Sequence, residues 1–240
     1  SLLAFRDLQV ECKVSNKSEG SARVKLGKTE VIAGVKLEIG EPYPDSPDQG
    51  NLVCTAELLP LASPRFESGP PGFKAIELGR LVDRAVRESG IIDLSKLCIE
   101  KGEKVWTIYI DIYPLNDDGN LIDVANIAAV AALKKAVMPT LDKDGKIDYS
   151  KKTSPLPISK EIAPLSISFF KLGDSIIIDP TREEEEVCDT RITLGVSSWK
   201  KQHAINSCQK AGSLPFTHEE LNEILDILPK KFDMLNEKLK

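Results

Sequence analysis

The residues with the most evident chemistry are arginines in the stretch Glu77-Leu78-Gly79-Arg80-Leu81-Val82-Asp83-Arg84-Ala85-Val86-Arg87-Glu88. On a helix, at roughly 100° per residue, Arg80, Arg84 and Arg87 fall on one side and Leu78, Leu81, Val82 and Ala85 on the other. Burying the apolar set leaves a row of guanidinium groups facing solvent or a partner. Guanidinium forks match phosphate oxygens two hydrogen bonds at a time. The row therefore reads as a seat for a polyphosphate, most simply a nucleic-acid backbone. The plainer alternative is a solvated helix face on which Glu77, Asp83 and Glu88 neutralise the arginines in ordinary surface pairs.

Other chemistries find little support. Cys12, Cys54, Cys98, Cys188 and Cys208 lie far apart with no C-x-x-C spacing, and the histidines are His203 and His218 alone. A zinc site is not expected, and neither is any other metal or cofactor. An odd number of scattered cysteines suits reduced thiols, hence a cytoplasmic protein whose cysteines serve as small core side chains. The formal net charge of −5 is not that of a stand-alone nucleic-acid binder, so any such binding must come from a local basic patch, completed by another chain. No window of about 18 apolar residues exists, so no membrane helix is expected, and no signal peptide is visible. The chain opens on Ser1 and not on a methionine, as expected of a sequence that lacks a native N-terminal piece.

The elements that must position the arginines follow from pattern. Strands are expected from Leu8 to Val14, Ala22 to Leu26, Thr29 to Ile39 and Leu52 to Leu58. Proline-rich loops at 41–50 and 61–71 separate them from the arginine helix, which should run from near Phe73 to near Gly90. A short strand at 97–100 precedes a long one from Lys104 to Leu115, where Trp106, Ile108, Ile110 and Ile112 share a face at period two. After the turn Asn116-Asp117-Asp118-Gly119-Asn120, residues 121–137 are apolar nearly all round and should form a buried helix. The polar stretch 142–159 reads as a surface hairpin or linker. Strands follow at 165–170, 175–178, 191–196 and 203–209. The acidic run from Glu183 to Glu186 reads as a solvated turn, because four consecutive carboxylates cannot all face one ion. Thr217-His218-Glu219-Glu220 is a capping box opening a last amphipathic helix, with a kink expected at Pro229. Strands, helix, strands, helix is the order of an α+β protein with mixed or antiparallel sheets. We read residues 1–240 as one domain of two similar halves, roughly 1–140 and 160–240, joined by the polar surface segment.

Several motifs together resemble the ribonuclease PH family over essentially the full length. Glu19-Gly20-Ser21-Ala22-Arg23-Val24-Lys25-Leu26-Gly27 is similar to the family's opening hairpin. Gly40-Glu41-Pro42-Tyr43-Pro44-Asp45, Glu57-Leu58-Leu59-Pro60-Leu61-Ala62-Ser63-Pro64 and Ile178-Asp179-Pro180-Thr181-Arg182-Glu183-Glu184-Glu185 resemble the non-catalytic ribonuclease-PH-like subunit of the archaeal exosome ring. The resemblance implies a ribonuclease-PH-like fold and a role in 3′-to-5′ RNA degradation, with inorganic phosphate as the attacking group. It also implies specific partners: a catalytic paralogue alternating with this chain in a hetero-hexameric ring, RNA-binding cap proteins and single-stranded RNA.

In the family's catalytic members a helix reading E-I-Q-R-L-I-G-R-S-L-R lies near the active site, and residues 77–87 align with it without a gap. The resemblance thus assigns RNA binding to Arg80, Arg84 and Arg87. Catalytic members also carry D-G-G-T-R-T before the buried helix, where the arginine holds the attacking phosphate at a helix N-terminus. Here the stretch is Asp118-Gly119-Asn120-Leu121-Ile122-Asp123, with Ile122 in the arginine's place and Asp123 expected to add repulsive charge next door. No catalytic residue is therefore assigned. Asp189 keeps the spacing of a catalytic carboxylate, but it follows a segment that looks two residues short, and it is expected at a strand end paired with Arg191. Lys74 and Arg65 are near the path in sequence only. Two other functions stay open: an active phosphorolytic exoribonuclease using Asp189, and a purely structural module whose arginines meet acidic partner residues.

Overall fold

The computed structural model describes residues 2–143, 145–199 and 202–239. Its strands are β1 (Leu8–Cys12), β2 (Gly20–Leu26), β3 (Thr29–Gly40), β4 (Asn51–Ala56), β5 (Cys98–Glu100), β6 (Lys104–Asn116), β7 (Val137–Leu141), β8 (Ile147–Pro155), β9 (Leu165–Leu172), β10 (Ser175–Ile178), β11 (Thr190–Trp199) and β12 (Gln202–Gly212). The helices are α1 (Phe73–Arg87), α2 (Leu121–Lys135), the short α3 (Arg182–Glu186) and α4 (His218–Glu237).

A six-stranded sheet runs β1-β2-β3-β6-β4, with β5 on β6. Its pairs are antiparallel except β4 with β6, which are parallel because loop 57–72 and α1 form a crossover long enough to bring the chain back in the same direction. A four-stranded antiparallel sheet runs β10-β9-β11-β12. The mixed and antiparallel sheets match the α+β expectation. The polar stretch at 142–159 supplies the turn and second strand of the antiparallel β7–β8 hairpin, although Asp144 lies outside the described residues.

The core is built around α2. Its residues from Ile122 to Leu133 are all buried, because the helix packs against β2, β3 and β6 on one side and against β9 on the other. Alanines at 125, 128, 129, 131 and 132 allow that double contact, since a small side chain lets backbones approach. The approach is tightest at Gly20, where a Cβ would collide with the Ala132 carbonyl and lie 2.8 Å from the Ala136 Cα. Helix α1 lies beside α2, over β4, and reaches β11 and β12. Along β6 the expected apolar face is present: Ile108, Ile110 and Ile112 are essentially solvent-free. Helix α4 continues through Pro229 without ending there, and its capping box forms as expected, Thr217 N–H donating to Glu220 Oε2 at 2.8 Å. Ahead of β1, residues 2–6 strap the chain: the Ile178 N–H donates to the Leu2 carbonyl at 2.9 Å.

Candidate nucleic-acid interface

Helix α1 turns Ala75, Leu78, Leu81, Val82, Ala85 and Val86 inward, and Arg80, Arg84 and Arg87 are exposed opposite. Gly79 allows the helix to sit close to β4, since a Cβ there would lie 3.1 Å from the Cys54 carbonyl oxygen. The row of three expected from the sequence divides in the structure. Arg87 is held as a fork by Asp83, with Nε–Oδ2 at 2.9 Å and Nη2–Oδ1 at 2.7 Å, and it also donates to the Leu52 carbonyl at 2.8 Å. The Asp83 hydrogen bond raises the Arg87 pKa, against the opposing effect of burial. Arg80 and Arg84 form no ion pair or hydrogen bond among the described residues. Their i,i+4 spacing sets their Cβ atoms about 5–6 Å apart on one face. The surface pairs expected with Glu77, Asp83 and Glu88 form only at Asp83, because Glu77 turns to Arg191 of β11 at 2.7 Å.

That Glu77–Arg191 pair corrects a second expectation. Asp189 does not pair with Arg191; its Oδ2 accepts the Gly173 N–H at 3.2 Å. Packing of β11 against α1 draws the guanidinium to the helix, and the β9–β10 turn takes the carboxylate instead. Asp189 therefore closes the β9–β10 turn.

The second place of interest is the start of α2. Gly119 (φ 86°) and Asn120 (φ 58°) adopt positive-φ conformations that turn the chain from β6 into α2. A knot fixes this bend. Arg6 forks onto Asp179 at 3.0 and 2.7 Å and donates to the Asp118 carbonyl at 2.8 Å, while Asn120 Nδ2 donates to Asp179 Oδ1 at 3.0 Å. The Asn120 backbone N–H then donates to Glu185 Oε2 at 2.8 Å. The helix end, with its positive dipole, is thus occupied by a carboxylate of the same chain. Burial raises the Glu185 pKa, more than the Asn120 bond lowers it. Ile122 is buried and contributes no donor.

Two readings of this region are sharpened by the structure. Asp123 lies beside the helix end, where the Asn120 side chain hydrogen-bonds to it. Its carboxylate is fully buried against β9, accepting from Ser168 N at 3.1 Å and Ser168 Oγ at 2.8 Å, and burial pushes its pKa up to about 7. The acidic run is not simply a solvated turn. It forms α3, opened by a capping box in which Thr181 N–H donates to Glu184 Oε2 at 2.8 Å. One turn of helix points Glu185 at α2 while Glu186 pairs with Arg65 and Arg182. The Thr-x-x-Glu spacing at 181–184 is the sequence signal of this helix start.

A cavity of about 120 Å³ lies between the start of α1 and the start of α2, lined by Arg65, Lys74, Glu77, Ile122, Glu185 and Arg191 among others, and Arg80, Arg84 and Arg87 stand outside it. The neighbours suspected from sequence, Arg65 and Lys74, do border it. Its cations could hold an anion, but the anion already present is Glu185. No group of three or more histidine, cysteine or acidic residues converges to hold a metal among the described residues. No helix there is long and apolar enough to cross a membrane.

Residues 4–139 match the family model described as 3′ exoribonuclease family, domain 1, and residues 163–227 match its domain 2. The protein named exosome complex component Rrp42 from Methanocella arvoryzae is 46% identical over 235 residues, covering 98% of this chain and 86% of the relative. The Rrp42 of Archaeoglobus fulgidus is 44% identical over 236 residues, covering 98% and 87%. A solved chain from an Archaeoglobus fulgidus exosome with RNA bound to the active site is 42% identical, with a TM-score of 0.91 over 100% of this chain and 91% of that one. Rice Rrp46 superposes with a TM-score of 0.73 at 17% identity over 100% of this chain and 95% of that one, a likeness of fold. With both domain models matched in order and relatives at this identity over nearly the whole chain, the protein belongs to the 3′ exoribonuclease family and has the ribonuclease PH fold.

Proposed function

We propose that the chain is a non-catalytic subunit of an archaeal RNA exosome core. It pairs in the cytoplasm with a catalytic ribonuclease-PH-like paralogue in a hetero-hexameric ring, beneath RNA-binding cap proteins. It structures the paralogue's active site and binds single-stranded RNA for 3′-to-5′ phosphorolytic degradation. The relatives are named as exosome components, and one related structure has RNA at an active site, which supports the exosome assignment.

The non-catalytic reading is carried by Glu185 on the Asn120 N–H, with Ile122 beside it. Inorganic phosphate would have to displace a carboxylate already bound at the helix end, and on the first turn of α2 it would meet Ile122 in place of an arginine, with Arg65 and Arg191 across the cavity already paired to Glu186 and Glu77. Asp189, tied to the Gly173 N–H, gives the rival reading of an active exoribonuclease no support. Arg80 and Arg84 are the RNA-binding residues in this proposal. Arg87 belongs to the same row but serves first to hold the helix to Asp83 and Leu52. Contacts of this kind position a strand without reading its sequence.

The test is an RNA shortening assay with and without phosphate. The chain alone is expected to leave a 3′-labelled RNA intact, and the complex with its paralogue to shorten it only when phosphate is present. Phosphate-dependent shortening by the isolated chain would overturn the assignment.

A further inference from the structure

Arg80 and Arg84 form a ridge with a groove on either side. The groove toward β4 has a volume of about 430 Å³ and is bordered by Arg80, Arg84, Arg87, Asp83, Glu88 and Tyr43. Tyr43 is the aromatic member of this border. Its side chain is 51% exposed, and its hydroxyl makes no hydrogen bond among the described residues. It therefore has little packing to account for its position.

The loop that carries it is nevertheless fixed. Pro42, Pro44 and Pro47 restrict the backbone of residues 41–50. The Ser46 N–H donates to the Tyr43 carbonyl at 3.0 Å, and the Gly102 N–H donates to the Pro47 carbonyl at 2.7 Å. At the far end the Gly50 N–H donates to the Leu94 carbonyl at 2.8 Å, and Asn51 Nδ2 donates to the Glu41 carbonyl at 2.9 Å. An exposed ring on a pinned loop loses little conformational freedom when something stacks on it. Three guanidinium groups against two carboxylates leave the border cationic, with Asp83 already engaged by Arg87. Cations that track a backbone, with an aromatic face beside them, are the arrangement that binds single-stranded nucleic acid without sequence preference.

We propose that Tyr43 is a base-stacking subsite: it takes one nucleobase of a single-stranded RNA whose phosphates lie on Arg80 and Arg84. This rests on the RNA-binding role proposed above for those arginines. Stacking on a tyrosine tolerates any base, so the subsite adds grip without adding sequence preference.

The experiment uses the chain assembled with its catalytic paralogue and measures fluorescence anisotropy with two probes: oligoadenylate, and a backbone of equal length made of abasic units. Tyr43→Ala is expected to weaken oligoadenylate binding about tenfold, within the range seen when stacking aromatics are truncated. It should leave the abasic probe's affinity unchanged, and Tyr43→Phe should bind both probes as the wild type does. Equal binding of oligoadenylate by Tyr43→Ala and wild type overturns the subsite. So does an equal loss on both probes, which marks a loop that has merely shifted. An Arg80→Ala/Arg84→Ala complex separates the two levels. If it weakens both probes while Tyr43→Ala weakens neither, only the subsite fails; if it weakens neither, the RNA-binding role of the ridge fails as well.

Discussion

Replacing Arg80 and Arg84 with alanine should change how RNA binding responds to salt, and replacing Arg87 should not. The reason is visible in the pairing. Arg87 is already neutralised by Asp83 and half committed to the Leu52 carbonyl, whereas Arg80 and Arg84 have no carboxylate. For single strands, each phosphate contact contributes about 0.7 to the slope of log affinity against log salt. Losing two contacts should flatten that slope by about 1.4, so a tenfold fall in salt strengthens the wild type about 25-fold more than the double variant. Arg87→Ala should keep the wild-type slope and lose stability instead. Its side chain is 36% exposed, so solvent screening limits the Asp83 pair. With the lost carbonyl bond, the cost comes to about 1 kcal/mol, a shift of a few degrees in Tm. The assay is anisotropy titration of the assembled ring with a single-stranded RNA at several potassium chloride concentrations, alongside thermal unfolding of each variant. An unchanged slope in Arg80→Ala/Arg84→Ala, or an Arg87→Ala slope flattened by as much as one free arginine, would refute the division drawn here.

The blocked helix end makes a second prediction: Glu185→Ala combined with Ile122→Arg should let the isolated chain take up inorganic phosphate, seen by ³¹P NMR. Each single variant should stay blank, and phosphate uptake by the wild type would contradict the blocked seat. A third concerns pH. The Asp123 pKa rises from 3.8 unfolded to about 7 folded, so between those values the folded chain holds a proton that the unfolded chain has released. Its contribution is full below about pH 4, falls as pH rises toward 7 and is flat above, a loss on the order of a few kcal/mol. Asp123→Asn should flatten thermal stability across that window; an equally steep profile in the variant would show that other groups carry it. Because both sheets pack on α2, we propose that residues 1–140 and 160–240 melt as one unit in that same experiment, and two resolved transitions would refute this.

The sequence made most of the scaffold legible for a simple reason: strands and helices with one buried face print their period. Trp106, Ile108, Ile110 and Ile112 did so, and so did the apolar run that became α2. The arginine helix was placed within a few residues of its ends. What stayed hidden was pairing. Nothing in residues 77–88 says that Asp83 will take Arg87 while Glu77 leaves the helix for Arg191, because that choice depends on β11 arriving from more than a hundred positions away. The burial of Asp123 against the second sheet stayed hidden for a related reason. On a helix buried all round there is no polar face to say where a carboxylate points, and the Ser168 donors that attract it belong to the second sheet. Glu185 was the least legible residue of the site. A run of four glutamates looks uniformly solvated until one turn of helix gives each a different direction.

The pairing pattern across the whole chain strengthens the case for the ridge more than the helix does alone. An acidic protein has carboxylates to spare, and its arginines use them: Arg6 is paired with Asp179, Arg23 with Glu30, Arg65 and Arg182 with Glu186, Arg87 with Asp83, and Arg191 with Glu77. Arg80 and Arg84 alone lack such a partner among the described residues, and they are adjacent on one exposed face. Chance solvation would scatter unpaired arginines over the surface. Two neighbours left unpaired beside a fixed, exposed tyrosine, among described residues that pair every other guanidinium, are what the proposed RNA-binding ridge requires. Such a partner must bring its own negative charge, and a phosphate at each step of a single strand supplies it to two arginines one helical turn apart.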